Sequence, residues 1–279
     1  MMKVCYINLA NQINRKLEIE KNFSKLNKND WVVKRFEAID ANSNEIINLK
    51  GKITNTNKAC NLSHILCLKD NQNSSEPFLT IEDDTVIGQQ TYNNLRNFLH
   101  QFKQDNVAWD IFFTDIIIPD VHNMLDLIKL RYELSKKKEF ITIDLSRINF
   151  AGLSSYVINP KSYKKILDLI NDNNEIMNLP LDLYIRKLIH QKKINGFAIF
   201  PFITTVSKNS FNSQIQLKEN ELTDHAWNLF RILICNESEF YEQEISQILE
   251  QFNLITNNTY FKKFNPIINY LISDQLKIK

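Results

Sequence analysis

The stretch that most constrains the fold is Phe78-Leu79-Thr80-Ile81-Glu82-Asp83-Asp84-Thr85-Val86, an apolar run opened by Pro77 and interrupted by three consecutive acids. Its first half reads as a buried strand, and its second half says that the strand stops at a concentrated charge. Adjacent carboxylates repel one another, and burying one without a partner costs several kcal/mol. A cation is therefore expected at the strand's end. Hard oxygen donors suit magnesium or manganese, ions that commonly bridge to substrate phosphates. Ligands of open α/β sheets bind just outside the carboxyl ends of the strands, so the stretch points to a metal-assisted nucleotide site. An acidic turn in solvent is the simpler alternative.

Strands and helices alternate on either side of it. Residues 4–9, 31–39, 109–114, 140–144, 151–159 and 197–200 read as strands, with Asn8 and Asp40 at the ends of the first two. Asn14 is a candidate cap for a helix in which Ile19, Phe23 and Leu26 recur at helical spacing. Residues 57–70 form a helix apolar almost all round and hence buried, and 93–102 form another. Residues 115–139 read as an excursion from the sheet, with a helix and a basic loop at Lys136-Lys137-Lys138. Pro160 and Pro180 open two further helices, the first burying Tyr163, Ile166, Leu167 and Ile170, the second Leu181, Tyr184, Ile185, Leu188 and Ile189. The alternation to about Ser207 predicts a mostly parallel α/β sheet. Helical patterns at 221–235, 239–252 and 260–272 then predict a C-terminal appendage, dividing the chain into 1–207 and 208–279.

A net charge of +2 argues neither for a nucleic-acid binder nor for an acidic tail, and no nucleic-acid partner is expected; 43% hydrophobic with 24% charged residues is ordinary for a soluble protein. The apolar run at residues 4–9 is too short for a signal segment, and Cys5, Cys60, Cys67 and Cys235 are too few and scattered for a disulfide framework. The expected location is the cytoplasm.

Three parts of the chain carry chemistry of their own. Arg15 lies in a helix's first turn, where positive charge opposes the dipole, so it is expected to face an anion. Cys60, His64 and Cys67 fall at i, i+4 and i+7 on one helix face. Such a face can ligate zinc, but no fourth ligand is evident, and a packed face with a hydrogen-bonded His64 is the expectation. Asp182 follows Pro180 in a helix's first turn, where the dipole favours its ionised form.

Six fragments then stand in a telling order: Tyr6-Ile7-Asn8-Leu9, Phe36-Glu37-Ala38-Ile39-Asp40, Cys60-Asn61-Leu62-Ser63-His64, Ile81-Glu82-Asp83-Asp84, Ser155-Tyr156-Val157-Ile158-Asn159-Pro160 and Leu179-Pro180-Leu181-Asp182. Together they resemble glycosyltransferase family 25, which includes lipopolysaccharide-biosynthesis glycosyltransferases and relatives of collagen galactosyltransferase. The sequence departs from the family pattern in having Ala59 before Cys60, Asn42 after Ala41, and Arg15 as a stand-in for an arginine nearer Asn8.

The resemblance implies a glycosyltransferase A type fold, Rossmann-like, with residues 1–207 as the nucleotide-sugar-binding catalytic domain. It implies transfer of a hexose, often galactose, from a UDP-sugar with inversion at the sugar carbon. The DxD-like element then falls on Glu82, Asp83 and Asp84, with Asp84 as the ligand of Mn2+ or Mg2+ and Glu82 or Asp83 contacting ribose or metal. A base must take the acceptor's proton on the opposite face of the sugar, and Asp182 at the family-like Pro-x-Asp position is the candidate. His64 would support the nucleotide pocket, and Asn8 and Asp40 would contact uridine. The acceptor is expected to be an oligosaccharide or lipid-linked glycan. Tyr260-Phe261-Lys262-Lys263-Phe264 would then suit peripheral contact with the inner face of the bacterial inner membrane. Two other readings stay open: a metal-dependent phosphoester hydrolase, and a non-catalytic nucleotide- or sugar-binding module.

Overall fold

The computed structural model describes residues 1–27, 30–137, 139–171, 174–207, 210 and 221–236. In chain order its elements are β1 (Met2–Asn8), α1 (Ile13–Ser24), β2 (Trp31–Glu37), α2 (Asn44–Ile47), α3 (Asn55–Asn71), β3 (Phe78–Glu82), β4 (Thr85–Ile87) and α4 (Thr91–Gln104). There follow β5 (Ile111–Phe113), α5 (Val121–Lys137), β6 (Ile141–Asp144), β7 (Ser155–Ile158), α6 (Tyr163–Asn171), α7 (Leu181–His190), β8 (Gly196–Phe200), β9 (Thr204–Val206) and α8 (Glu221–Ile234).

A seven-stranded sheet has the order β2-β1-β3-β7-β5-β8-β6, and β4 pairs with β9 in a small second sheet. β1 is parallel to β2 and β3, and β5 is parallel to β8, while β7 runs against both β3 and β5 and β6 against β8. Five strands thus share one direction, which is the mostly parallel α/β sheet expected.

Strand periodicity sorts the side chains between two apolar layers. Cys5 and Ile7 of β1, Phe78 of β3, Ile111 and Phe113 of β5 and Tyr156 and Ile158 of β7 join the layer that α3, α6 and α7 cover. Their alternates Val4, Tyr6, Leu79, Ile81, Phe112 and Val157 join the layer beneath α1 and α4. α3 buries residues on several faces, polar Asn61 and Ser63 included. Asn61 earns its place by receiving the Leu181 amide at 2.8 Å and donating to the Leu179 carbonyl at 3.1 Å, which fixes the start of α7.

Several local readings need correction. Asn14 is not a cap: α1 starts at Ile13, and its cap position is Gln12, with no side-chain bond. The basic run does not begin in a loop, because Lys137 closes α5. Pro160 opens a single 3-10 turn that leads into α6. The predicted helices at 239–252 and 260–272, and with them the basic-aromatic segment Tyr260–Phe264, lie outside the described residues. The predicted helix at 221–235 is α8, whose Phe230 and Ile234 enter the layer shared with α7.

A close approach ties the loop before α3 to the turn before α7. A Cβ added at Gly51 would lie 2.1 Å from the Met177 carbonyl oxygen, which is backbone and cannot rotate away. Gly51→Ala is therefore expected to cost about 1–3 kcal/mol, read as a lowered urea midpoint.

Candidate active site

β1 and β3 end side by side, with Ile7 opposite Glu82. The chain then turns through Asp83 and Asp84 into β4, and the turn is held on both flanks. The Ser154 carbonyl accepts from the Glu82 amide and from the Thr85 hydroxyl, each at 2.9 Å. The Ser207 amide donates to the Asp84 carbonyl at 2.7 Å, beside the β4–β9 pairing of Thr85 with Val206. The acids are thus presented on a fixed backbone, at the carboxyl end of parallel strands.

They face a cavity of about 360 Å3 whose walls include Arg15, Asp40, Cys60, His64, Glu82, Asp83 and Asp84. The sequence separates these residues by up to 69 positions, and the fold gathers them. Arg15 donates to Asp83 at 3.0 Å and lies 3.6 Å from Asp84, so the anion it faces belongs at least in part to the protein itself. Burial works against the Arg15 charge, yet Asp84 and Asp83 outweigh it and hold the guanidinium above its ordinary pKa.

Asp40 is at the exposed mouth, where its Oδ1 accepts the Asn42 amide at 2.7 Å. Asn8, the other residue expected to contact uridine, stands at the end of β1. It is buried and does not line the cavity; its amide donates to Asp83 at 2.7 Å and its carbonyl accepts from Arg35 Nε at 2.9 Å. Its visible work is to hold Asp83.

The three acids differ in electrostatics. For Glu82, burial favours the neutral acid, but the His64 hydrogen bond and charge, then Arg231 and Arg15, overcome it and hold its pKa below the usual value. Asp83 is raised, burial prevailing over the Asn8 and Arg15 contacts. Asp84 is pushed up to about 7, chiefly by burial and then by Glu82. Its Oδ1 is buried without a hydrogen-bond partner. A lone buried carboxylate oxygen at the centre of an acidic turn is the donor a hard divalent cation would satisfy.

His64 is buried and held at both ring nitrogens, Nε2 3.2 Å from Glu82 Oε1 and Nδ1 3.0 Å from the Tyr156 hydroxyl. Cys60, one turn earlier on α3, brings its sulfur into the same group, and the donor atoms of Cys60, His64 and Glu82 all lie within 4.8 Å of one another. Cys67 turns away from them, its Sγ 3.3 Å from that of Cys5.

Asp182 stands in the first turn of α7, with Oδ2 accepting the Gly152 amide at 2.8 Å. It does not line the cavity, but it is near enough to raise the Cys60 thiol, after burial and Glu82.

The site has a component that the sequence reading missed. Arg231 of α8 is 3% exposed and makes a two-pronged pair with fully buried Asp115, both contacts at 2.7 Å. It also donates to the Ser154 hydroxyl and, at 3.2 Å, to Asn228. Because Ser154 supports the acidic turn through its carbonyl, α8 braces the turn from behind. Arg231 also adds a positive charge felt by Glu82 and Asp84. The available signal was an arginine inside the otherwise apolar run Leu229-Phe230-Arg231-Ile232-Leu233-Ile234, a setting that demands a buried partner.

Among the described residues, no helix is long and apolar enough to cross a membrane. The family model described as Glycosyltransferase family 25 (LPS biosynthesis protein) matches residues 1–185, which include β1, β3 and the acidic turn. No curated protein matches the chain.

Proposed function

The chain belongs to glycosyltransferase family 25, and from that premise we infer that it moves a hexose, galactose before glucose, from a UDP-sugar to a hydroxyl of a lipopolysaccharide, lipooligosaccharide or other surface glycan. The sheet flanked by helices is the glycosyltransferase A type of α/β fold that the family implies. One observation carries the reading: the unpartnered, buried Asp84 Oδ1 in an acidic turn that faces the cavity at the ends of β1 and β3.

Asp84 and Glu82 are the residues proposed to hold Mn2+ or Mg2+. The ion, when bound, neutralises charge that develops on the departing UDP. The chain does the rest. Arg15 favours the ionised forms of Asp83 and Asp84 against their burial and adds positive charge at the cavity wall. Asp40 at the mouth is the proposed contact to uridine, and His64 holds the Glu82 carboxylate. Asp182 is proposed as the base that takes the proton of the acceptor hydroxyl, its carboxylate steered by the Gly152 amide and the start of α7. Inversion follows if the acceptor attacks from the face opposite UDP.

Calorimetric titration of UDP with and without manganese tests the donor side. Metal-dependent binding is expected for the intact chain and for Asp182→Asn, which should lose transfer by about 100-fold or more while keeping its affinity for UDP. Absence of UDP binding under both conditions overturns the reading. Near-normal transfer by Asp182→Asn removes that residue from the base role.

A further inference from the structure

We propose that Cys60, His64 and Glu82 form a second metal site, one for a zinc-class cation, in the cavity wall. The site shares Glu82 with the hard-cation site, taking one of its two carboxylate oxygens, and does not depend on the transfer reaction above. Cys60 and His64 are one helical turn apart and so share a face of α3, and Glu82 arrives from the neighbouring end of β3. Their sulfur, nitrogen and oxygen donors lie within 4.8 Å of one another. A mixed S/N/O set of this kind favours zinc over manganese or magnesium, which take oxygen.

The simpler account is a His64–Glu82 hydrogen bond with a thiol nearby, and two observations go beyond it. The first is the orientation of the ring. Tyr156, almost wholly buried, meets His64 Nδ1 at 3.0 Å and fixes the imidazole with Nε2 toward Glu82, as the outer partner of a metal-bound histidine does. The second is the thiol's setting. Cys60 shares the cavity wall with Glu82, Asp83 and Asp84, carboxylates whose charge a bound cation would offset. On binding, Cys60 releases its proton to solvent and the proton between His64 Nε2 and Glu82 is given up as well, which leaves a neutral imidazole with its one proton on Nδ1, donated to the Tyr156 oxygen. The Nε2 lone pair and one Glu82 oxygen then turn from each other to the ion. Thiolate and carboxylate together cancel the ion's charge. All three donors line the open cavity, so the fourth tetrahedral position is left to water or an incoming group.

Cobalt(II) titrated into the full, metal-stripped chain is a direct probe, because a cobalt–thiolate bond gives an intense near-ultraviolet charge-transfer band. One equivalent is expected to produce that band, and zinc to abolish it by displacement. Cys60→Ser should lose it, while Asp84→Asn and Cys5→Ser should keep it, which separates this site from the hard-cation site and from the Cys5–Cys67 pair. Tyr156→Phe should weaken zinc by about 10- to 100-fold while the band survives at saturation. No band in the intact chain, or a band that persists in Cys60→Ser, overturns the proposal. Should Cys60→Ser fail to fold, alkylation of the intact chain at alkaline pH decides: protection of Cys60 by zinc supports the site, and equal labelling with and without zinc refutes it.

Discussion

Arg231→Ala should destabilise the chain by about 3–5 kcal/mol, the largest stability loss expected of any single substitution in the site. The reason is Asp115, wholly buried and already pushed above its ordinary pKa by that burial, which would lose both of the 2.7 Å contacts that compensate it. Removing both charges should cost far less, because a matched apolar pair needs no compensation. Arg231→Met combined with Asp115→Leu is therefore expected to recover much of the loss in urea titrations. The charge pair also has a local duty that the double variant cannot restore. Ser154 would lose the Arg231 donor, and its carbonyl is the acceptor for both the Glu82 amide and the Thr85 hydroxyl. The double variant should thus approach the parent in stability yet bind UDP and manganese more weakly. Full recovery of binding would show that the acidic turn needs no brace.

Asp84→Asn should abolish metal-dependent UDP binding and, without metal, make the protein more stable at alkaline pH. The folded chain holds a proton on Asp84 up to about pH 7, well above the ordinary carboxylate value of 3.8. The group's contribution is then fully present below that ordinary value and fades as pH rises through about 7, where the buried carboxylate is forced to ionise beside Glu82. Asparagine does not titrate, so the variant's melting temperature should stay level over the range in which the parent's falls. A cation that binds the carboxylate competes with its proton. The melting-temperature gain from manganese should therefore grow from about pH 5 to about pH 8 in the parent and vanish in the variant. A parent gain that is independent of pH would place the ion elsewhere.

What the sequence could disclose followed the range of the physics involved. The apolar run Phe78-Leu79-Thr80-Ile81 marks β3, and three acids at its end mark the site, because both signals are confined to a few adjacent residues. The one-turn spacing of Cys60 and His64 is equally local. β4 and β9, of three residues each, are too short to show a period and went unread. Arg231 and Asp115 are 116 positions apart, so neither announces the other. Asn8 shows the opposite case: its place at a strand end was legible, but only the packed structure shows that Asp83 and Arg35 occupy its side chain. Asp182 remains the residue whose role leans most on its place in the motif, since its carboxylate meets the Gly152 amide and is not among the residues that line the cavity.

The position of β7 bears on how the chain acquires its shape during synthesis. This strand sits between β3 and β5, yet it is made after both and runs against them. Until residues 155–158 have left the ribosome, β2-β1-β3 can assemble as one sheet fragment, while β5 has no strand neighbour on either side, since β8 comes later still. Joining the halves closes a loop of some 75 residues from β3 to β7, a late and slow contact. Nascent chains paused before β7 should therefore present the open edge of β3 and both edges of β5, and a helper that shields such edges would serve this protein most in that interval.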